Sequence, residues 1–367
     1  MPQTEHFDSI VIGGGQAGLA TGYYVKRQGR DVIILDANQR VGDAWRQRWD
    51  SLRLFTPARY DGLPGAPFPA PAHSLPSKDE VADYLESYAA RFALPVRTGV
   101  TVKRLSKQGD RFVVEAGDLR FEAANVVVAT GAYHTPRIPA FASELDPAIT
   151  QMHSRQYRRP SQLRDGGVLV VGAANSGAEI ALEVSGAHQT WLSGRHPGNE
   201  PTRPGSAADR LMTPLIWFAF SHVLTVNTPL GRKAAAQLRS HGLPLARVRP
   251  DDLLAAGVER VHARTVGVRD GLPVLADGRI LDVANVIWCT GFSPGFEWID
   301  LPIFGHDGEP LHERGVVASH AGLYFVGLFF QSAVISSLVG GVGRDAEHIV
   351  QAIARRTSGS APQPSAV

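Results

Sequence analysis

The stretch "VIGGGQAGLA" at residues 11–20 decides the fold, because its glycines stand between a buried strand and a helix. "FDSIVIG" predicts the strand, "QAGLATGYYVKRQG" the helix and "DVIILDA" the next strand. Gly13, Gly15 and Gly18 let the backbone approach a pyrophosphate at the helix N-terminus. Asp36 ends the second strand, where a carboxylate accepts a hydrogen bond from a ribose hydroxyl. The stretch therefore predicts a dinucleotide-binding βαβ unit.

The same order of elements returns later in the chain, as "GGVLVVG", "NSGAEIALEVSG" and "HQTWLSG". Gly172 corresponds to Gly13, and Ala174 replaces the middle glycine. A second pair of stretches, "NVVVATG" at 125–131 and "NVIWCTG" at 285–291, is separated by almost the same distance along the chain as Gly13 and Gly172. The two patterns are unrelated to each other, yet the two copies of each lie almost the same number of residues apart. This agreement indicates a repeated nucleotide-binding architecture.

The residue that follows the second strand differs between the two units. Arg195 stands as far after Gly172 in the sequence as Asp36 stands after Gly13. A carboxylate repels a ribose 2′-phosphate, whereas a guanidinium pairs with it. We therefore predict NADP at the second loop and a plain adenosine ribose at the first. A solvated surface arginine is the alternative interpretation.

The two units predict an α/β fold with two Rossmann-like dinucleotide-binding domains. The C-terminal stretch "GLYFVGL" predicts a strand that returns to the first sheet, so the second domain is an insertion. We place the first domain at 1–145 and 290–355 and the inserted domain at 146–289. Residues 356–367 are predicted to be a disordered tail.

Composition narrows the functional classes. The chain has 367 residues, 44% of them apolar, and a net charge of +2, which fits two globular domains and no nucleic-acid partner. One cysteine, Cys289, excludes an intramolecular disulfide or dithiol pair, and the histidine spacing predicts no metal site. The N-terminus lacks the pattern of an export signal, so we expect a cytoplasmic protein. The apolar stretch 211–226 predicts a buried or channel-lining helix, with peripheral membrane contact as the alternative.

Six stretches, taken in order, resemble the flavin-containing monooxygenases of class B over roughly residues 7–350: "GGGQAG", "VGDAWR", "SLRLFTP", "VVATGAYHTPRIP", "GAANSG" and "CTGFSP". The resemblance implies FAD at the first loop, NADPH at the second, and a small-molecule substrate that reacts with O2. It further implies oxidation of a soft nucleophile, sulfur or nitrogen, through a C4a-hydroperoxyflavin. An uncoupled NADPH oxidase that releases hydrogen peroxide and a non-catalytic FAD/NADP redox sensor are the alternatives. A homodimer is the default assembly.

The resemblance also assigns residues to the site. Phe55 and Gln331 are the predicted catalytic residues, and Phe55 stands where larger relatives place an asparagine over the flavin. The predicted cofactor-binding residues are Gly13, Gly15, Gln16, Ala17, Gly18, Asp36, Ala37, Gly42, Asp43, Ala44, Trp45, Arg46, Leu52, Val102, Ala129, Thr130, Gly131, Gly172, Ala174, Asn175, Ser176, Gly177, Gly194, Arg195, His196, Thr290 and Gly291.

The chain departs from the family pattern in two further stretches. Asp43 replaces the second glycine of the family's Gly-Gly-x-Trp-Arg stretch. His153 and Tyr157 match the fingerprint F-x-G-x-x-x-H-x-x-x-Y, whereas Pro147 and Ile149 replace its phenylalanine and glycine. These replacements make Baeyer–Villiger oxygenation a less secure expectation than oxidation at sulfur or nitrogen.

Overall fold

The computed structural model describes residues 4–131, 133–241 and 243–359. The chain first forms β1 (Thr4–Ile12), α1 (Gln16–Arg27), β2 (Val32–Leu35), α2 (Asp43–Arg46), α3 (Lys78–Arg91), β3 (Val96–Arg97), β4 (Arg104–Gln108), β5 (Arg111–Ala116) and β6 (Leu119–Val128). It continues with β7 (Thr135–Pro136), β8 (Thr150–His153), β9 (Val168–Val171), α4 (Asn175–Val184), β10 (Thr190–Ser193), α5 (Ala207–Phe218), α6 (Pro229–His241), α7 (Pro250–Ala255), β11 (Glu259–Val261), β12 (Thr265–Arg269), β13 (Leu272–Leu275), β14 (Asn285–Trp288) and β15 (Phe292–Ser293). It ends with β16 (Leu323–Phe325) and α8 (Val342–Gly359).

The first sheet has the strand order β3-β2-β1-β6-β5-β4, and β16 pairs with β6. All pairings are parallel among five strands of this sheet, β1, β2, β3, β6 and β16. The other two strands, β4 and β5, extend the sheet through antiparallel pairings. The C-terminal strand therefore returns to the first sheet, as the sequence predicts. Helix α8 follows it and extends to Gly359, so the first residues of the predicted tail are helical, while 360–367 lie outside the described residues.

Strand β1 is apolar on both faces because helices and loops cover both faces of the sheet. Val11 packs in a core that includes Leu19 of α1 and Ile349 of α8. Its neighbour Ile10 faces the opposite side, where it packs in a core with Phe112. A central parallel strand needs apolar side chains on both faces, and the run of branched apolar residues "IVI" provides them.

The second sheet is parallel throughout, with the order β11-β10-β9-β14-β8. Its centre β10-β9-β14 repeats β2-β1-β6 of the first sheet, which confirms the predicted duplication. The repeated asparagines serve the same purpose in both copies. Asn125 donates a 3.1 Å hydrogen bond to the carbonyl oxygen of Asp8, and Asn285 donates a 2.8 Å bond to that of Arg164. Each buried amide ties its strand to the backbone of the central strand, in the first sheet, or to the backbone just before it, in the second.

The chain passes between the two sheets at a small antiparallel ribbon, which we call the hinge ribbon, formed by β7 and β15. Pro136 pairs with Phe292, and Thr135 pairs with Ser293. The two passages of the chain between the sheets therefore lie side by side. The limits of the two domains stay a prediction.

Helix α5 corrects one expectation from the sequence. None of its residues is buried, and Leu211 and Phe218 are 75% and 59% exposed. The prediction of a buried helix was wrong because only the opposite side of the helix contacts the first domain, where Trp217 stacks on Tyr60 with ring centroids 4.7 Å apart. Among the described residues, no helix is long and apolar enough to cross a membrane.

Candidate active site

The first glycine loop packs tightly against its surroundings and leaves one open face. Gly13 adopts a φ of +109°, and a Cβ there would lie 2.6 Å from the carbonyl oxygen of Ala129. A Cβ on Gly18 would collide with the carbonyl oxygen of Gly13. At Gly15 no described atom lies within 4 Å of the Cβ position, and no described side chain caps α1. The first N–H groups of α1 are therefore open to an anion such as a pyrophosphate.

The second loop repeats this arrangement. Gly172 has a φ of +105° and packs against the carbonyl oxygen of Cys289, which occupies the place of Ala129. Gly177 lies against the carbonyl oxygen of Gly172, as Gly18 lies against that of Gly13. Ala174 is exposed at the start of α4 and provides no side-chain cap. A methyl group at this open position leaves the helix N-terminus accessible, so the second loop also fits a pyrophosphate.

Asp36 holds the first loop in place. Its Oδ2 accepts a 2.6 Å hydrogen bond from the backbone nitrogen of Gly14. Its Oδ1 accepts bonds of 2.7 Å and 2.8 Å from the backbone and side-chain nitrogens of Asn38. Carboxylate oxygens can each accept more than one hydrogen bond, so these contacts leave room for a ribose hydroxyl. The predicted ribose contact stays a prediction.

Basic side chains converge at the ends of β10 and β11, in what we call the strand-end cluster: Arg195, His196, Arg260 and His262. Arg195 is exposed and follows Gly194, whose φ is +129°. Burial lowers the pKa of His196, and the charges of Arg260 and His262 lower it further. Nη1 of Arg260 is buried without a hydrogen-bond partner among the described residues. The two guanidinium groups of the cluster suit a phosphate, because neither forms an ion pair with a carboxylate among the described residues.

Sequence reasoning missed Arg260 and His262. Their strand, β11, pairs with β10 but comes much later in the chain, after α5, α6 and α7. The only available signal was the basic stretch "ERVHAR" at 259–264 beside an apolar segment. Their proximity to Arg195 follows from the strand order and not from spacing in the sequence.

The Trp45 segment packs against the N-terminus of α1. Gly42 adopts a φ of +89°, and a Cβ there would lie 2.5 Å from the carbonyl oxygen of Ala82. The Trp45 indole nitrogen donates a 3.4 Å hydrogen bond to Oε1 of Gln16. The structure thus brings together three residues that were predicted to contact the cofactor.

Arg46 is directed toward α3. Its guanidinium forms ion pairs with Asp83 at 2.8 Å, Glu86 at 3.0 Å and Asp43 at 3.3 Å. It also donates a 2.7 Å hydrogen bond to the carbonyl oxygen of Val41. These four partners give Arg46 and Asp43 a role in fastening α2 to α3, and the geometry offers no support for a direct cofactor contact by Arg46.

Two other predicted cofactor residues hold neighbouring segments with their side chains. Asn175 accepts a 2.9 Å hydrogen bond from the backbone nitrogen of Ala246 and donates a 3.0 Å bond to the carbonyl oxygen of Pro244. Thr290 donates its hydroxyl to the carbonyl oxygen of Arg137 beside the hinge ribbon. Both side chains thus have partners within the protein, and their contact with a cofactor stays a prediction.

Gln331, a predicted catalytic residue, is buried with its amide fully engaged. Its Nε2 donates to the carbonyl oxygens of Phe325 at 2.8 Å and Arg314 at 3.2 Å, and its Oε1 accepts from the backbone nitrogen of Leu328 at 3.3 Å. An amide with these partners shapes the turn after β16 and has little freedom to contact a substrate. The structure therefore points to a structural role for Gln331.

The remaining predicted residues differ in exposure. Leu52 packs against the core of the second sheet and Val102 against that of the first, while Ala17 is buried in α1. Exposed or half-buried are Ala37, Ala44, Thr130, Gly131, Ser176 and Gly291. The carbonyl oxygen of Gly291 accepts hydrogen bonds from the His153 ring and from the backbone nitrogen of Arg137, so Gly291 lies beside the hinge ribbon.

The segment that carries Phe55 leads into an open groove of about 420 Å³ beneath α5. Tyr60, Leu63, Trp217 and Gly340 line it together with Arg59, so its wall combines aromatic, aliphatic and backbone surface with a cationic side chain. Phe55 itself is half-buried. No described group of three His, Cys, Asp or Glu residues could hold a metal ion.

Asp61 is a residue that sequence reasoning missed. It is fully buried at the end of the same segment, and its Oδ1 accepts a 2.6 Å hydrogen bond from the Thr56 hydroxyl. Its Oδ2 has no hydrogen-bond partner among the described residues. Burial raises the pKa of Asp61 to about 7, against the smaller opposing effect of Thr56. An acid in this environment is half protonated near neutral pH.

Comparison with known proteins identifies the family. Residues 10–207 match the family model of the pyridine nucleotide-disulphide oxidoreductases. An "uncharacterized oxidoreductase CzcO-like" of Geobacillus kaustophilus is 39% identical, over 94% of this chain and 98% of its own. A flavin-containing monooxygenase from Stenotrophomonas maltophilia is 30% identical, covers 96% of this chain and 99% of its own, and superimposes with a TM-score of 0.72. The chain belongs to the flavin-containing monooxygenase family.

The monooxygenase has the α/β architecture expected from its sequence, and its enzyme class is confirmed. FAD and NADPH, the predicted cofactors, are those of this family. A probable indole-3-pyruvate monooxygenase, YUCCA3 of Arabidopsis thaliana, is 27% identical over 87% of this chain and 81% of its own. The sequence contains one cysteine, Cys289, so it offers no pair of thiols for the disulphide chemistry in the name of the broader family. Burial also raises the pKa of the Cys289 thiol to about 12, which makes it unreactive.

Proposed function

We propose that this monooxygenase binds FAD at the loop 13–18 and NADPH at the loop 172–177, and that it oxidises sulfur or nitrogen in a small molecule. The observation that carries this proposal is the pair of open, uncapped glycine loops with opposite charge at their strand ends. Asp36 at the first loop suits ribose hydroxyls, and the strand-end cluster at the second suits a 2′-phosphate. One loop would hold the redox cofactor and the other its reductant.

FAD would supply the electron-transfer and oxygen-transfer chemistry when bound, with NADPH as the source of electrons and O2 as the source of oxygen. The overall reaction balances as thioether, O2, NADPH and a proton giving sulfoxide, NADP⁺ and water. The loop amides at Gly15 and Ala174 would hold the two pyrophosphates. The tightly packed glycines, Gly13 and Gly172, fix each loop against its sheet and so would fix where each cofactor binds.

The groove beneath α5 supports a soft nucleophile as substrate. Sulfur and nitrogen react through their own lone pairs, so the protein need not supply a nucleophile and base for the substrate. Tyr60 and Trp217 offer an aromatic wall that excludes water from one side. The packing of Trp217 on Tyr60 also joins α5 of the second domain to the first, so this wall forms only when both domains are in place.

The proposal is tested by following NADPH consumption, hydrogen peroxide release and product formation in parallel, with a thioether, an amine and a ketone. We expect yellow protein that bleaches with anaerobic NADPH, regains its colour in air, and oxygenates the thioether or amine. Recovery of all consumed NADPH as peroxide would favour an oxidase. Exclusive conversion of the ketone to an ester would contradict the proposed substrate class. Colourless protein that binds NADPH would favour a sensor.

A further inference from the structure

A group of arginines lies where the first domain meets the hinge ribbon, and we call it the hinge arginine cluster: Arg48, Arg155 and Arg158. The Arg48 guanidinium lies 5.6 Å from the centre of the Phe292 ring. Arg155 donates a 2.8 Å hydrogen bond to the carbonyl oxygen of His134. The cluster therefore brings Arg48, which follows the Trp45 helix, close to Arg155, which follows β8. Residues of both predicted domains contribute to it.

Arg48 and Arg155 lack a carboxylate partner among the described residues, while the charge of Asp50 raises the pKa of Arg158 against the effect of burial. Neither Arg48 nor Arg155 forms an ion pair within 4 Å among the described residues, and Arg48 has one protein hydrogen bond, to the carbonyl oxygen of Ala44. Asp50, the nearest acid along the chain, pairs with Arg159 at 3.1 Å. Burial, together with the smaller effect of the charges of Arg155 and Arg158, lowers the pKa of Arg48 to about 10. Like charges at this spacing repel, and a bound anion would relieve the repulsion.

Aromatic rings hold the cluster in a fixed geometry. Phe292 packs edge-on against His153, with ring centroids 4.8 Å apart, and against Tyr133 at 5.9 Å. His153 in turn hydrogen-bonds to the carbonyl oxygen of Gly291 at 3.1 Å and accepts a bond of the same length from the backbone nitrogen of Arg155. Phe292 and His153 therefore position Arg48 and Arg155 relative to each other. The charge of Glu297, a carboxylate of this region, raises the pKa of His134 against the effect of burial.

The position of the cluster indicates which ligands can reach it. His153 ends β8, and Phe292 follows β14, so both lie at the carboxyl ends of strands in the second sheet. Gly172 of the second loop follows β9, the neighbour of β14 in the same sheet. Ligands of parallel α/β sheets bind at this edge. A guanidinium offers paired N–H donors that match the oxygens of a carboxylate or phosphate.

We propose that the hinge arginine cluster is an oxyanion-binding site of the cleft between the domains. The oxyanion has two possible sources, a carboxylate on the substrate and a phosphate of the nicotinamide cofactor. The assignment of the oxyanion to a carboxylate of the substrate rests on the proposed function. The binding of an oxyanion at the hinge arginine cluster does not.

Isothermal titration of the FAD-loaded protein distinguishes these sources without turnover. The probes are NADP⁺, 3-(methylthio)propanoate and the methyl ester of that acid. Arg48→Ala and Arg155→Ala should each weaken one of the charged probes by about tenfold to a hundredfold, the loss expected for a charge-assisted hydrogen bond. Loss confined to the acid, with the ester unchanged, assigns the site to the substrate. Loss confined to NADP⁺ assigns it to the cofactor.

Two variants control for general effects of substitution. Arg159→Ala removes an arginine of the same segment that already pairs with Asp50, and it should leave every Kd within twofold of wild type. Arg48→Lys keeps the charge and should recover part of the affinity that Arg48→Ala loses. Wild-type Kd values for both charged probes in Arg48→Ala and Arg155→Ala would overturn the proposal. A wild-type protein that binds the acid but never oxygenates it would contradict the proposed function and leave the anion site standing.

Discussion

Replacement of Asp61 by asparagine should change how the stability of the protein depends on pH. The folded carboxyl has a pKa of about 7, against an ordinary value of 3.8. Because the pKa is raised, the folded state binds a proton that the unfolded state releases, and the stabilising effect of that proton is complete below about pH 4. It is lost as the pH rises to 7 and above. The difference between the two pKa values corresponds to about 4 kcal/mol of unfolding free energy.

An asparagine side chain remains neutral at every pH, so the Asp61→Asn variant should gain stability relative to wild type as the pH rises. The measurement is urea unfolding of both proteins at pH 5 and pH 8, at equal FAD saturation. Between pH 5 and pH 8, the free energy of unfolding of the variant should rise by about 2 to 3 kcal/mol relative to that of wild type. Asp110→Asn, a change at an exposed turn residue, is the matched control and should give no such change. An equal difference at both pH values would refute the assignment of a raised pKa to Asp61.

Three further predictions concern the cofactor sites. Arg195→Ala should raise the KM for NADPH about tenfold to a hundredfold and leave NADH nearly unchanged, since only NADPH carries the 2′-phosphate; equal losses in steady-state kinetics would contradict this. Gly15→Val should yield protein largely without FAD, because the side chain fills the open face of the loop, and a full flavin spectrum would argue against it. Phe55→Asn should change the ratio of product to peroxide; an unchanged ratio would make Phe55 a core residue.

The backbone of both nucleotide sites could be predicted from the sequence because its constraints are local. Gly13 and Gly172 need positive φ angles and close backbone contacts, and no other residue type provides both. The apolar runs of β1 and β9 predict central parallel strands, because such strands are buried on both faces. A pattern confined to one short βαβ segment therefore determined where each loop, helix and strand begins.

Side-chain roles were harder to predict, because they depend on partners from distant segments. Arg46 was expected at a cofactor and instead pairs with the acids of α3, a helix that is separated from it by the whole Phe55 segment. Gln331 was expected in catalysis and instead supports the turn that follows β16. In both cases the residue type was consistent with two roles, and only the position of the neighbouring backbone separates them. Asp61 was overlooked for a related reason, since nothing in "RYDGLPG" shows that its carboxyl is buried.

The duplication explains how two nearly identical loops fit the two different cofactors that we propose for them. The glycines that shape each loop are repeated, so both copies offer the same open helix N-terminus to a pyrophosphate. Selectivity must then come from outside the repeat. At the first loop Asp36 is buried and bonded to Gly14, whereas at the second the exposed Arg195 is joined by Arg260 from the neighbouring strand. In this proposed assignment, a change at the strand end would alter which ribose is accepted without disturbing the loop that would hold the pyrophosphate.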